Sequence, residues 1–155
     1  MSNSKKVVVI TGASQGLGDG MVKAFRELGY QIVATSRSIK PSTDPDILTV
    51  AGDIGEPETA QRVIREAIAR FGRVDTLINN APLITNRPFE EFSLQEYEDQ
   101  IRVNSSAAFA LARAAQVAHR GDTQPVQMRL VGGGQQRHRA RPIEHAALHV
   151  PAVDG

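Results

Sequence analysis

The sequence predicts an α/β protein built as a doubly wound parallel sheet with helices on both faces. Two observations carry that prediction. Short, nearly continuous apolar runs rich in Val and Ile occur at 7–10, 31–35, 47–50 and 74–78, as strands buried on both faces require. Between them lie longer segments whose apolar residues recur at helical spacing, and strand-helix alternation is the grammar of a parallel sheet.

The elements follow in order. Residues 7–10 form a first strand and run into a glycine-rich turn. Met21, Ala24, Phe25 and Leu28 then mark a helix face, with Gly29 placed where a helix C-terminus favours it. Residues 31–35 are a second strand, and 47–50 a third after a loop carrying Pro41 and Pro45. Pro57 suits the first position of the next helix, whose stripe is Ala60, Val63, Ile64, Ala67, Ile68 and Phe71, closed by Gly72. Residues 74–78 are a fourth strand. Ser93 and Glu96 form a capping box for a long helix continued by Tyr97, Ile101, Ala108, Leu111 and Ala115, with Tyr97 expected to pack on that helix. Residues 126–131 form a fifth strand candidate.

Composition limits the function classes. The 155 residues are 41% hydrophobic and 23% charged, with a net charge of +1, so no nucleic-acid or membrane partner is indicated. The absence of cysteine excludes disulfides and thiolate metal sites. The N-terminal apolar run is too short for a signal peptide or a membrane span, and a cytoplasmic protein is expected.

The turn after the first strand has a physical use. Gly12, Gly16 and Gly18 are spaced G-x-x-x-G-x-G, not G-x-G-x-x-G. Small residues between a buried strand and a helix let backbone N–H groups approach a pyrophosphate, and the helix N-terminus adds partial positive charge. In dinucleotide-binding domains an acidic residue about 20 positions further on holds the ribose 2′-hydroxyl. Here Ser36 and Arg37 occupy that place, and a hydroxyl beside a guanidinium suits a 2′-phosphate, so NADP is expected rather than NAD.

The residues Thr11, Gly12, Ala13, Ser14, Gln15, Gly16, Leu17 and Gly18 resemble the T-G-x-x-x-G-x-G cofactor motif of the short-chain dehydrogenase/reductase family. Its other N-terminal markers follow in order. Asp53, with Ile54 beside it, matches the acidic residue that contacts adenine, and Asn79-Asn80-Ala81 matches the N-N-A-G motif that lies against the cofactor. Asn104 matches the helix asparagine of the catalytic set. The resemblance covers residues 5 to about 117. It implies a Rossmann-like fold, here ending after about five strands, and cofactor contacts from Thr11, Gly12, Ser14, Gln15, Gly16, Leu17, Gly18, Ser36, Arg37, Asp53, Ile54, Asn80 and Ala81. It also implies hydride transfer between NAD(P) and a small-molecule carbonyl or alcohol, and a homo-oligomer.

The chain departs from that pattern in ways that bear on chemistry. Relatives use a tyrosine, a lysine four residues later and an upstream serine, because a phenol needs a neighbouring cation to act as acid or base near neutrality. The last lysine here is Lys40, the last serine Ser106, and the tyrosines are Tyr30 and Tyr97, so of that catalytic set only Asn104 has a counterpart. Pro82 stands in place of the motif's last glycine. The family's second interface helix has no counterpart. Residues 1–131 are read as the dinucleotide-binding domain and 132–155 as an atypical tail with no sustained period. His138, His145 and His149 in that tail are read as solvated, not as a metal site. The change in composition after about Val117 resembles coding sequence translated out of frame. The expected function is thus that of a short-chain dehydrogenase/reductase lacking its own turnover; the alternatives are a non-catalytic NADP-binding module or a truncated fragment.

Overall fold

A computed structural model describes residues 5–118 in full and the backbone pairing of 127–130. Its order is β1 (Val7–Thr11), α1 (Gly16–Glu27), β2 (Gln31–Ser36), β3 (Ile47–Ala51), α2 (Pro57–Phe71) and β4 (Thr76–Asn79). A single 3₁₀ turn at Phe89–Glu91 leads to α3 (Leu94–Ile101), a π-helical turn at Arg102–Ser106, α4 (Ala107–Ala118) and β5 (Gln127–Leu130). All strands are parallel and ordered β3-β2-β1-β4-β5. The expected tail, with its histidines and arginines, lies outside the described residues.

Strand β1 is the centre of the molecule because its alternating side chains feed two cores. Val7 and Val9 point to one face, against Ala60, Val63, Ile64 and Ala67 of α2 and Ala107, Leu111 and Ala115 of α4. Val8 and Ile10 point to the other, joining Ile32, Ala34 and Ile78 beneath Met21, Val22 and Phe25 of α1. These four side chains are fully buried. Each contributes on the order of 1.5–3 kcal/mol relative to an exposed side chain, which fixes the strand's register. Phe25 also packs edge-on against Tyr30, with ring centroids 5.0 Å apart, closing the turn from α1 into β2.

The termination signals act as expected. Gly72 caps α2 in the left-handed conformation at φ 78°, and its N–H donates to the Ile68 carbonyl. Ser93 and Glu96 form the reciprocal capping box at α3.

Three expectations need correction. The fourth strand begins at Thr76 rather than residue 74, because Asp75 turns its carboxylate back to accept the Val7 N–H at 2.7 Å and so sits before the ladder. The long helix is not uniform: it is interrupted by the π-helical turn, which re-aims the side chains between α3 and α4. Tyr97 and Ile101 do not pack inward but are largely exposed, since α3 buries no residue fully and lies on the rim.

Candidate functional site

In an open parallel sheet, ligands bind beyond the carboxyl ends of the strands, where the strand order reverses. Here the reversal falls between β1 and β4, and a cavity of about 590 Å³ opens there. Its wall is made by the glycine turn after β1, the end of β2, the loops after β3 and β4, and the junction of α3 with the π-helical turn.

The glycine turn is shaped by close approach. A Cβ on Gly18 would lie 2.0 Å from the Gly12 carbonyl oxygen, so α1 reaches this near to the turn only with glycine at 18. Gly12 has φ 64°, and a Cβ there would meet the Ala81 Cα and Asn80 carbonyl at 3.0 Å. Gly16 has φ 56° with open space around it, so its requirement is conformational. Helix α1 then begins after Gln15 with no side chain capping it. Its first-turn N–H groups are left with no side-chain acceptor at the cavity wall, an arrangement that favours an anion.

Thr11 lies behind this wall. Its Oγ1 accepts the N–H groups of Asn80 at 2.9 Å and Ala81 at 3.0 Å, and it donates to the Ile78 carbonyl at 3.5 Å. The Asn80 Nδ2 donates back to the Thr11 carbonyl at 3.1 Å. The carboxyl ends of β1 and β4 are thus clasped side to side, and Asn80 and Ala81 reach the cavity because Thr11 holds their backbone. The other twelve residues expected to contact cofactor all line the cavity; Thr11, only 2% exposed, does not.

At the end of β2 the Ser36 hydroxyl is buried and has no hydrogen-bond partner among the described residues. Its neighbour Arg37 is exposed and makes no ion pair among them. A buried hydroxyl without a partner costs free energy unless something at the cavity satisfies it. After β3, the Asp53 Oδ1 accepts the Gly55 N–H at 2.8 Å, and Ile54 lies beside it. Arg102 borders the same end of the cavity. Its Nη1 donates to Glu56 at 3.1 Å and its Nη2 to Asp99 at 3.1 Å. The hydrogen bond to Asp99 and the nearby Asp53 and Glu56 raise its pKa further above the usual arginine value, so it stays charged.

Asn104 occupies the π-helical turn. Its Oδ1 accepts the Leu83 N–H at 2.8 Å and its Nδ2 donates to the Leu83 carbonyl at 2.9 Å. This two-way bond fixes the loop after β4, where Pro82 and Leu83 line the cavity. Asn104 itself does not line it, and no Tyr or Lys does either. Sequence reasoning missed Thr35, Asp99 and Arg102 as cavity residues. The Arg102–Glu56 pair joins positions 46 apart, and only the folded chain brings them together.

An adenine dinucleotide fits these residues: uncapped N–H groups for the pyrophosphate, an unpartnered hydroxyl for the ribose, and a carboxylate for the base. Among the described residues no cluster of His, Asp and Glu could hold a metal ion, and no helix is long and apolar enough to cross a membrane. A second, apolar groove of about 740 Å³ lies between α2 and α4, where Phe109 and Val117 are exposed.

Fold and site together define a nucleotide-binding doubly wound domain. The family model for short chain dehydrogenase matches residues 6–122, and the chain belongs to that family. It is 30% identical over 118 residues to 2-dehydro-3-deoxy-D-gluconate 5-dehydrogenase of Escherichia coli, covering 71% of this chain and 46% of that one. It is 33% identical over 120 residues to a probable 2,4-dienoyl-CoA reductase of Bacillus subtilis, covering 72% and 47%. The chain therefore spans about half the length of the curated relatives it matches. Among solved structures it is similar to a short-chain dehydrogenase from Streptomyces avermitilis, at TM-score 0.70 and 28% identity over 81% of this chain and 48% of that one. It is likewise similar to L-sorbose reductase from Gluconobacter frateurii complexed with NADPH and L-sorbose, at TM-score 0.66 and 28% identity over 74% and 48%.

Proposed function

We propose that this chain is an NADP(H)-binding unit of a short-chain dehydrogenase/reductase. The observation that carries the choice of NADP is the pair at the end of β2: a buried, unpartnered Ser36 hydroxyl beside an exposed Arg37 free of ion pairs among the described residues. An acidic side chain there would repel a 2′-phosphate, whereas a guanidinium binds one with two parallel hydrogen bonds. The first turn of α1 would hold the pyrophosphate, Asp53 and Ile54 the adenine, and Asn80 and Ala81 the nicotinamide half. That similar structures include one complexed with NADPH agrees with this reading.

When bound, the cofactor supplies a hydride to a carbonyl carbon, or takes one from an alcohol carbon, and a proton must be exchanged at the oxygen. The chain's own residues bind and orient the dinucleotide; they provide no Tyr-x-x-x-Lys and no serine beyond Ser106 for that proton transfer. We infer that the 155 residues bind cofactor without turnover of their own. Association through α4 with a second copy belongs to the same reading, since Phe109 and Val117 leave an apolar face on that helix, and light scattering would register it.

The test is a fluorescence titration with NADPH and NADH. NADPH is expected to bind more tightly, and Arg37→Asp to weaken NADPH by roughly tenfold or more, the loss of a charged hydrogen bond, while NADH changes little. Equal loss for both cofactors would sink the assignment of Arg37 to the 2′-phosphate. Absence of binding to either would refute the cofactor reading as a whole. NADPH oxidation against a panel of carbonyl compounds would refute the absence of turnover.

A further inference from the structure

Beside Asp53 the cavity is lined by a guanidinium that the family's N-terminal markers do not include, that of Arg102. Gly55 follows Asp53 by two residues, and the position its Cβ would take lies 2.6 Å from the Arg102 Nη1, 3.2 Å from the Arg102 Cζ and 3.2 Å from the Asp53 Oδ1. The guanidinium and the Asp53 carboxylate therefore meet over residue 55, where the lack of a side chain leaves room for the guanidinium, and both residues line the cavity. Arg102 arrives from the junction of α3 and the π-helical turn, and Asp53 from the loop after β3.

The guanidinium is already positioned. Glu56 holds it from the start of α2 and Asp99 from α3, each at 3.1 Å, leaving Nε and one hydrogen on each terminal nitrogen unclaimed by those bonds. Three carboxylates, those of Asp53, Glu56 and Asp99, surround one guanidinium. Such a neighbourhood repels phosphate, so this arginine is suited to a neutral hydrogen-bonding ligand rather than to the diphosphate or the 2′-phosphate. Asp53 uses Oδ1 to accept the Gly55 N–H, and its other oxygen has no hydrogen bond among the described residues.

We propose that Arg102 is a specificity-determining residue which, with Asp53, selects a 6-aminopurine over a 6-oxopurine at the base end of the cleft; this rests on the dinucleotide reading above. The chemistry is complementary. Adenine offers an amino donor next to a ring-nitrogen acceptor, matching a carboxylate acceptor and a guanidinium donor. Hypoxanthine offers a carbonyl acceptor and a ring N–H donor in the reverse order, which opposes carbonyl to carboxylate and N–H to guanidinium. Sites that hydrogen-bond a ligand reject an analogue that leaves their polar groups unpaired.

The experiment compares NADPH with its deamino counterpart, in which hypoxanthine replaces adenine, by fluorescence titration of the full chain, Arg102→Met and Gly55→Ala. The unaltered chain is expected to favour NADPH by about tenfold, the effect of one charged hydrogen bond. In Arg102→Met that ratio collapses towards one. Gly55→Ala keeps the arginine but puts a methyl where the guanidinium sits, and the ratio falls in the same direction. A merely structural role would weaken both nucleotides together and leave the ratio intact. Binding of NADPH by the unaltered chain with no preference over the deamino form, or an unchanged ratio in both variants, overturns the proposal while the dinucleotide reading stands. Failure of the unaltered chain to bind either nucleotide overturns both.

Discussion

Thr11 shapes the wall of the cavity without lining it. One hydroxyl accepts two backbone N–H groups from the loop after β4, so that loop cannot leave β1 without abandoning both. Thr11→Val keeps the shape and removes the acceptor. The expected result is a loss of about 1–3 kcal/mol, the cost of leaving a buried donor unsatisfied, read as a lower midpoint in denaturant unfolding with an unchanged slope. An unchanged midpoint would show that the strands hold the loop unaided. At the same scale, Thr11 marks where motif reading and geometry differ. The motif put it among the cofactor contacts, and nothing in the sequence distinguishes a threonine that faces a ligand from one that faces a neighbouring strand. The place of Ser36 and Arg37 at the cavity was legible, because it depends only on the length of β1, α1 and β2.

At the scale of elements, the approach of α1 to its own turn sets the width of the cavity. Gly18→Ala puts a carbon 2.0 Å from a backbone carbonyl, and a backbone atom has no rotamer into which to retreat. The helix must shift, so the variant is expected to lose dinucleotide binding and to unfold at a lower temperature; retention of full affinity would show that the turn is more compliant than its geometry. The strands, α1 and α2 were legible because each combines a buried run with a glycine or proline signal at its end. The π-helical turn was not. Val103 and Ala107 continue an apolar spacing that an unbroken helix would also show, and the insertion is visible only through the bonds it permits, those of Asn104 to Leu83 and of Arg102 to Glu56.

The whole molecule is tied at the opposite end of the sheet by a charged cluster. Arg26 bonds Asp44 at 2.8 Å and approaches Asp46 at 3.0 Å, while Lys5 reaches Asp46 at 2.7 Å. The Arg26 hydrogen bond is the main cause holding the Asp44 carboxyl below its usual value, and the Lys5 hydrogen bond does the same for Asp46. A carboxyl with a depressed pKa adds stability that is present above its unfolded value, about 3.9, and is lost as pH falls through the folded one. Melting temperature is therefore expected to be flat near neutrality and to decline as pH drops below about 4. Arg26→Met should make that decline shallower; a variant with the full decline would remove the cluster from the explanation.

The clasp between β1 and β4 has a kinetic side. Thr11 and Asn80 are 69 residues apart, and every strand pairing in this sheet waits for an intervening crossover, since none is made by a hairpin. Long-range closures of this kind are slow steps in refolding. The cavity's two halves come from the two sides of that closure, so no early, locally folded species contains a site. In a stopped-flow refolding experiment, competence to bind NADPH should return with the slowest major phase, after the burst of helical signal, and the ligand should then slow the rate at which the two halves separate again.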